Sequence, residues 1–217
     1  MVRIANPPPP RPPRPVFTTL PAGARLVRLF DPSRFGAGPL AFRFFGPLLR
    51  FDHQRGELAA VAGQRRRRLH PTLDAERGIY YAGFTLSCCV VEVFGDTGIV
   101  EPGEWRVALV ELTRAVRLLD LRGAGAMRAG TNAALAKVPR HRTSQAWSRT
   151  FYEEPKYAGA EGILYRNAHN DEDALALYER AQDALDCPPE RVLRLDDPLL
   201  RPALLAIAAR HNLIATP

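Results

Sequence analysis

The chain has 217 residues and is 46% hydrophobic, enough for one well-buried core, and it holds no run of 18 apolar residues that could span a bilayer. Its net charge of +7 is almost entirely arginine, since Lys137 and Lys156 are the only lysines; this permits an anionic ligand or nucleic acid and selects neither. Cys88 and Cys89 are neighbours and suit buried thiols better than a disulfide framework, and no histidine has a partner at metal-ligand spacing, so no metal site is expected.

Residues 1–23 are proline-rich, with the run Asn6 to Pro15 at their centre. They read as a tail, in polyproline II or disordered. The start lacks the apolar core of a signal peptide, so the chain is expected in the cytoplasm. The folded domain is expected over 24–217. In Arg25 to Phe30 the alternation of a strand puts Arg28 on the face of Leu26 and Phe30, and Arg25 on that of Val27 and Leu29. One of the two arginines therefore faces a core, where it needs an anion, either a carboxylate of the protein or a phosphate of a ligand. Pro39 to Asp52 is aromatic and basic by turns around Gly46-Pro47. It reads either as the lining of a pocket for a flat anionic molecule or as an apolar hairpin with edge arginines. Residues 54–77 read as a polar loop in which Arg65 to Arg68 form a solvated face, with partner contact as the alternative.

The stretch Gly78 to Asp96 carries two adjacent tyrosines and a lone carboxylate. Ile79 to Ala82 suit a buried strand. Thr85 can cap a helix from Leu86, and Gly95 can end it in the left-handed region. Glu92 is the only charge on that helix, either at a solvated edge or in a site. Further on, Trp105 to Leu112 and Val116 to Leu121 read as strands. A helix is expected over Ala124 to Lys137, and another through Phe151 with Thr143 or Ser144 as its cap. Ile163 to Arg166 is a strand, Ala174 to Arg180 a strand or helix, and Pro202 to His211 a closing helix. Strands and helices interleave irregularly, which predicts an α+β domain.

Four places, in order, form a pattern over most of residues 25–181: Arg28; Arg50-Phe51; Tyr81-Ala82 with Glu92 eleven positions after Tyr81; and the late segment from Asp120-Leu121 through Ser144 to Trp147 to Gly162 to Arg166. This pattern resembles the RES-domain family, named for an Arg, a Glu and a Ser, whose best-described members are toxins of toxin–antitoxin pairs that break down NAD. The resemblance implies a fold similar to ADP-ribosyltransferase toxins, with a split, bent mixed sheet and helices around a cleft. It implies NAD as substrate, no metal, and an Xre-like antitoxin on a separate chain. Nucleic acid is not an expected partner.

NAD carries a cationic nicotinamide as leaving group, so breaking its glycosidic bond depends chiefly on stabilising an oxocarbenium-like ribose. The resemblance therefore makes Glu92 the catalytic carboxylate. Tyr81 becomes the aromatic beside the nicotinamide, and Arg28 and Arg50 bind the diphosphate. Asn167 stands where the family has its serine, and it is carried over as a ligand contact because an amide also donates and accepts hydrogen bonds. The implied activity is release of nicotinamide to water or phosphate, or ADP-ribosyl transfer to a protein. The alternative, which Asn167 favours, is an inactive RES-like module that binds a nucleotide or a partner.

Overall fold

The structure, a computed structural model, describes residues 4–60, 67–139 and 141–215. Arg65 and Arg66 lie outside the described residues. The chain forms β1 (Phe17–Leu20), β2 (Arg25–Phe30), β3 (Phe45–Gly46), β4 (Glu57–Ala60), β5 (Arg67–His70), β6 (Thr72–Leu73) and β7 (Ile79–Gly83), then helix α1 (Leu86–Phe94) and β8 (Ile99–Val100). After β9 (Arg106–Leu112) and β10 (Val116–Asp120) come helices α2 (Gly125–Arg128) and α3 (His141–Glu153). Strands β11 (Gly162–Arg166), β12 (Asp173–Tyr178), β13 (Leu185–Asp186) and β14 (Val192–Arg194), helix α4 (Arg201–His211) and β15 (Ile214–Ala215) complete it.

Among the described residues, nine strands form one mixed sheet in the order β1-β10-β11-β12-β7-β2-β9-β13, with β14 also on β9. Only the β10–β11 pair is parallel there. Strand alternation covers both faces. Ile163 and Tyr165, Ala174, Ala176 and Tyr178, and Ile79 pack with Trp147 and Phe151 of α3. Their neighbours Leu164, Leu175, Leu177 and Tyr80 join Leu26, Phe30 and Val110 on the opposite face. The sheet is pinched where β2 meets β7, which share a single paired position, Val27 with Gly83. This is the expected α+β class with a split sheet, and the split is what makes room for a cleft.

Helix α1 sits against the split. Thr85 caps it as expected, its side chain accepting from the Cys88 N–H at 2.9 Å. A Cβ on Gly83 would lie 2.8 Å from the Cys88 sulfur, so glycine there lets the helix close on the strand. Gly95 does not end α1 in the left-handed region, as its φ is −62°. Glycine is needed there for a different reason: a Cβ would fall 2.4 Å from the His169 ring.

Other expectations shift with the tertiary structure. The helix over 124–137 breaks into α2 and a 3-10 turn, Ala133–Lys137, because Gly130 turns left-handed at φ +90°. Helix α3 starts at His141, so Ser144 is an interior residue and its hydroxyl donates back to the His141 carbonyl. Residues 173–178 are strand β12, followed by a 3-10 turn. Within 54–77 the described residues form a hairpin, β4 on β5, where a polar loop was expected. N-terminal to the expected boundary at 24, Phe17–Leu20 is strand β1, paired with β10. The proline run before it lies beside α3, where the Trp147 indole donates to the Ala5 carbonyl at 2.8 Å. A buried indole N–H needs an acceptor, and the Ala5 carbonyl just before the proline run supplies it. Among the described residues no helix is long and apolar enough to cross a membrane.

Away from the split, His53 is fully buried between the rings of Tyr152 and Tyr178, its Nε2 3.2 Å from Glu179. Burial lowers the His53 pKa despite the Glu179 carboxylate, so the neutral ring is the native form. Below an unfolded value of about 6.5 the unfolded chain takes up a proton that the native chain resists, and stability falls with pH. Burial works against the Glu179 carboxylate, but hydrogen bonds from His53 and Tyr152 hold its pKa below the ordinary value, which adds a loss at still lower pH. The denaturation midpoint is therefore expected to drop between pH 7.5 and 5.5, and to drop less in His53→Gln.

Candidate functional site

A cleft of about 450 Å³ opens at the split between β2 and β7. That is a usual size for a small-molecule site. Its walls are β2 and the loop after it, the segment from Ala41 to Arg50, β7, α1 and Tyr165. Arg28, Arg50, Tyr81 and Glu92 all line it. Four of the five residues nominated from sequence thus converge, although up to 64 positions separate them along the chain.

The arginines divide by charge partner. Arg34 pairs with Asp31 at 2.9 Å, and Arg43 binds both oxygens of Asp52 at 2.8 Å. Arg28 and Arg50 enter no ion pair among the described residues; the Arg28 guanidinium donates to the Ala41 carbonyl and that of Arg50 to the Val138 carbonyl. Arg28 is buried on the face of Leu26 and Phe30, its guanidinium 4.0 Å from the centre of the Tyr80 ring. Its Nε is buried without a hydrogen-bond partner. Burial pulls its pKa below the ordinary arginine value. A buried guanidinium without a carboxylate is costly to keep unless an anion completes it.

The turn that carries Arg50 is built by its neighbour Asp52. This fully buried carboxylate accepts from the Leu48 and Leu49 N–H groups, from Arg43, and from the Tyr81 hydroxyl at 2.9 Å. Helix α3 grips the same turn from outside. On one face of that helix, His141, Gln145 and Ser148 meet the carbonyls of Leu48, Leu49 and Phe51. The Tyr81 hydroxyl also accepts from the Phe51 N–H at 2.9 Å. Both of its hydrogen-bonding roles are taken, and burial together with the Asp52 charge raises its pKa well above the ordinary range. Tyr81 therefore offers the cleft a ring and no acidic proton.

Glu92 stands at the open edge of α1, with 37% of its side chain exposed. His169 Nδ1 lies 3.5 Å from its carboxylate, and Nε2 of the same ring is 3.1 Å from Asp96. The two carboxylates engage opposite nitrogens of the ring, and among the described residues no three His, Cys, Asp or Glu side chains come together as a metal site would require. Tyr165 lines the same cleft as Glu92. Burial, and next the Glu92 charge, push its phenol pKa well up.

Asn167 is not brought to the cleft. It is fully buried, its amide donating to the Cys88 carbonyl and sulfur and accepting from the His169 and Asn170 N–H groups. All four hydrogen-bonding positions are spent on the protein. The side chain pins the loop that carries His169 and has nothing left for a ligand. Asn167→Ser is expected to lower stability by about 1–3 kcal/mol through unpaired buried groups, read as a fall in denaturation midpoint. Turnover should stay within about five-fold, one hydrogen bond's worth. A thousand-fold gain would return this position to the chemistry.

Sequence reasoning passed over Tyr165, Asp52 and His169. The first two carried a signal, since Tyr165 alternates with buried Leu164 and Asp52 is a lone carboxylate in an aromatic stretch. His169 carried none, because only the fold brings it to Glu92.

A family model described as RES domain matches residues 41–198. No curated protein matches the chain. Among solved structures, a chain in the crystal structure of the M. tuberculosis MbcT-MbcA toxin-antitoxin complex is similar, with a TM-score of 0.53 and 15% identity over 90% of this chain and 93% of that one.

Proposed function

We propose that this chain, which belongs to the RES-domain family, binds NAD in the cleft and breaks its nicotinamide–ribose bond, as the toxin of a toxin–antitoxin pair. The observation that carries the reading is the pair of cleft arginines, Arg28 and Arg50, left without carboxylates beside a fixed tyrosine ring and a carboxylate. A diphosphate supplies the missing anion. The Tyr81 ring, held by Asp52 and Phe51, takes the nicotinamide by π and cation–π attraction. Glu92, with the His169 ring 3.5 Å from its carboxylate, stabilises the charge that develops on the ribose as nicotinamide leaves. The electron pair of the broken bond goes to the pyridinium nitrogen, which neutralises the leaving group and makes a general acid unnecessary.

Water or inorganic phosphate then attacks the ribosyl cation; transfer to a protein side chain is the alternative outcome. That the similar structure comes from a toxin-antitoxin complex supports an antitoxin partner, an Xre-like protein by the family resemblance. The inactive-module reading rested on Asn167, and the burial of that residue outside the cleft lining weighs against it. The test is nicotinamide release from NAD by the purified chain, with and without phosphate. Turnover accelerated by phosphate indicates a phosphorylase, phosphate-independent turnover a glycohydrolase, and no release in either buffer overturns the reading.

A further inference from the structure

The loop after β2 presents an aromatic ring that the reading above does not use. Asp31 organises this loop. Its carboxylate accepts from the Ser33 N–H at 2.9 Å and hydroxyl at 2.6 Å, and pairs with Arg34, whose guanidinium lies 5.4 Å from the centre of the Trp105 ring. The loop so held carries Phe35 with φ +53°, a left-handed backbone that bulky residues rarely adopt. Phe35 lines the cleft and is 62% exposed, its ring stacked on Phe45 at 5.8 Å and 17°. Strained backbone and a large apolar ring in water both oppose folding, and such residues cluster where a ligand is clamped.

We propose that Phe35, backed by Phe45, is the stacking platform for the adenine of the dinucleotide. The inference rests on the NAD reading, which gives Glu92 and Tyr81 to the nicotinamide riboside and Arg28 and Arg50 to the diphosphate. The group left over is a flat purine. The other rings of the lining are committed: Phe30, Phe42 and Tyr165 are buried, and Trp105 lies under Arg34. Phe35 is the exposed ring among the described residues of that lining, and its surface is apolar and flat, as a base requires. Stacking of a base on an aromatic side chain tolerates any base and is worth about 5- to 150-fold in binding.

The test compares NAD with nicotinamide mononucleotide, which has the same scissile bond and no adenylate. Phe35→Ala is expected to raise the KM for NAD at least about five-fold and to leave kcat/KM for the mononucleotide unchanged, with Phe35→Trp restoring the NAD value. An equal effect on both substrates, or none on either, overturns the platform. If the parent chain cleaves neither substrate, the cleavage reading fails, and calorimetric titration with ADP-ribose and AMP decides the platform separately. Binding by the parent that Phe35→Ala loses supports it; equal binding by both, or none by the parent, overturns it.

Discussion

Glu92→Gln is expected to lower kcat for nicotinamide release by about 10²- to 10³-fold while changing NAD affinity far less. The reason is where the charge appears. In bound NAD the positive charge sits on the pyridinium, and only as the bond breaks does it move to the ribose, so a carboxylate placed for the ribose acts on the transition state. The amide keeps the shape of the side chain and loses its charge. Glu92 lies at the exposed edge of α1, with the His169 ring 3.5 Å from its carboxylate, so the fold should tolerate the change. The measurement is a kcat and KM pair, with the melting temperature as control. A parent-like kcat would make Glu92 the solvated helix edge that its place on the helix equally permits.

Arg28→Met should fail in the opposite way. The guanidinium is buried, has no carboxylate partner among the described residues, and leaves its Nε unpaired, so an apolar side chain of similar length relieves the fold of an uncompensated charge. Loss of the hydrogen bond to the Ala41 carbonyl partly offsets this. The melting temperature should therefore hold or rise. NAD binding loses charge-assisted contacts to the diphosphate that exist already in the ground state, and KM should increase by about 10- to 100-fold with kcat little changed. Stability preserved while substrate binding is lost is the pattern of a residue kept for function at the expense of the fold. If the variant instead unfolds several degrees earlier and binds NAD normally, Arg28 is a structural residue stacked on Tyr80.

Much of the site was legible in the sequence because its members sit on regular elements. Period-two alternation is a local property, and it was enough to turn Arg28 toward Leu26 and Phe30 and to mark Ile79 to Ala82 as a buried strand. The cap at Thr85 is equally local, since a side-chain oxygen satisfies an N–H three residues on. The order of four blocks, Arg28, Arg50-Phe51, Tyr81 to Glu92 and the late segment from Asp120 to Arg166, carried the family, and with it the split sheet.

What the tertiary structure alone decided is which polar groups have partners. Arg43 and Arg50 are equivalent in the sequence, both basic residues in an aromatic stretch, yet Asp52 folds back on Arg43 and leaves Arg50 at the tip of the turn. The resemblance put Asn167 at the family's serine position, but the packing of its loop on α1 spends all four of its hydrogen bonds inside the protein. Gly95 caps the end of α1 as the sequence suggested, but with a right-handed backbone, and what calls for glycine there is the space taken by His169, 74 positions away along the chain. Alternation and capping depend on neighbours a few residues apart, whereas the partner of a charge is set by which distant segments meet, and among the described residues no segment brings a carboxylate to Arg28 or Arg50.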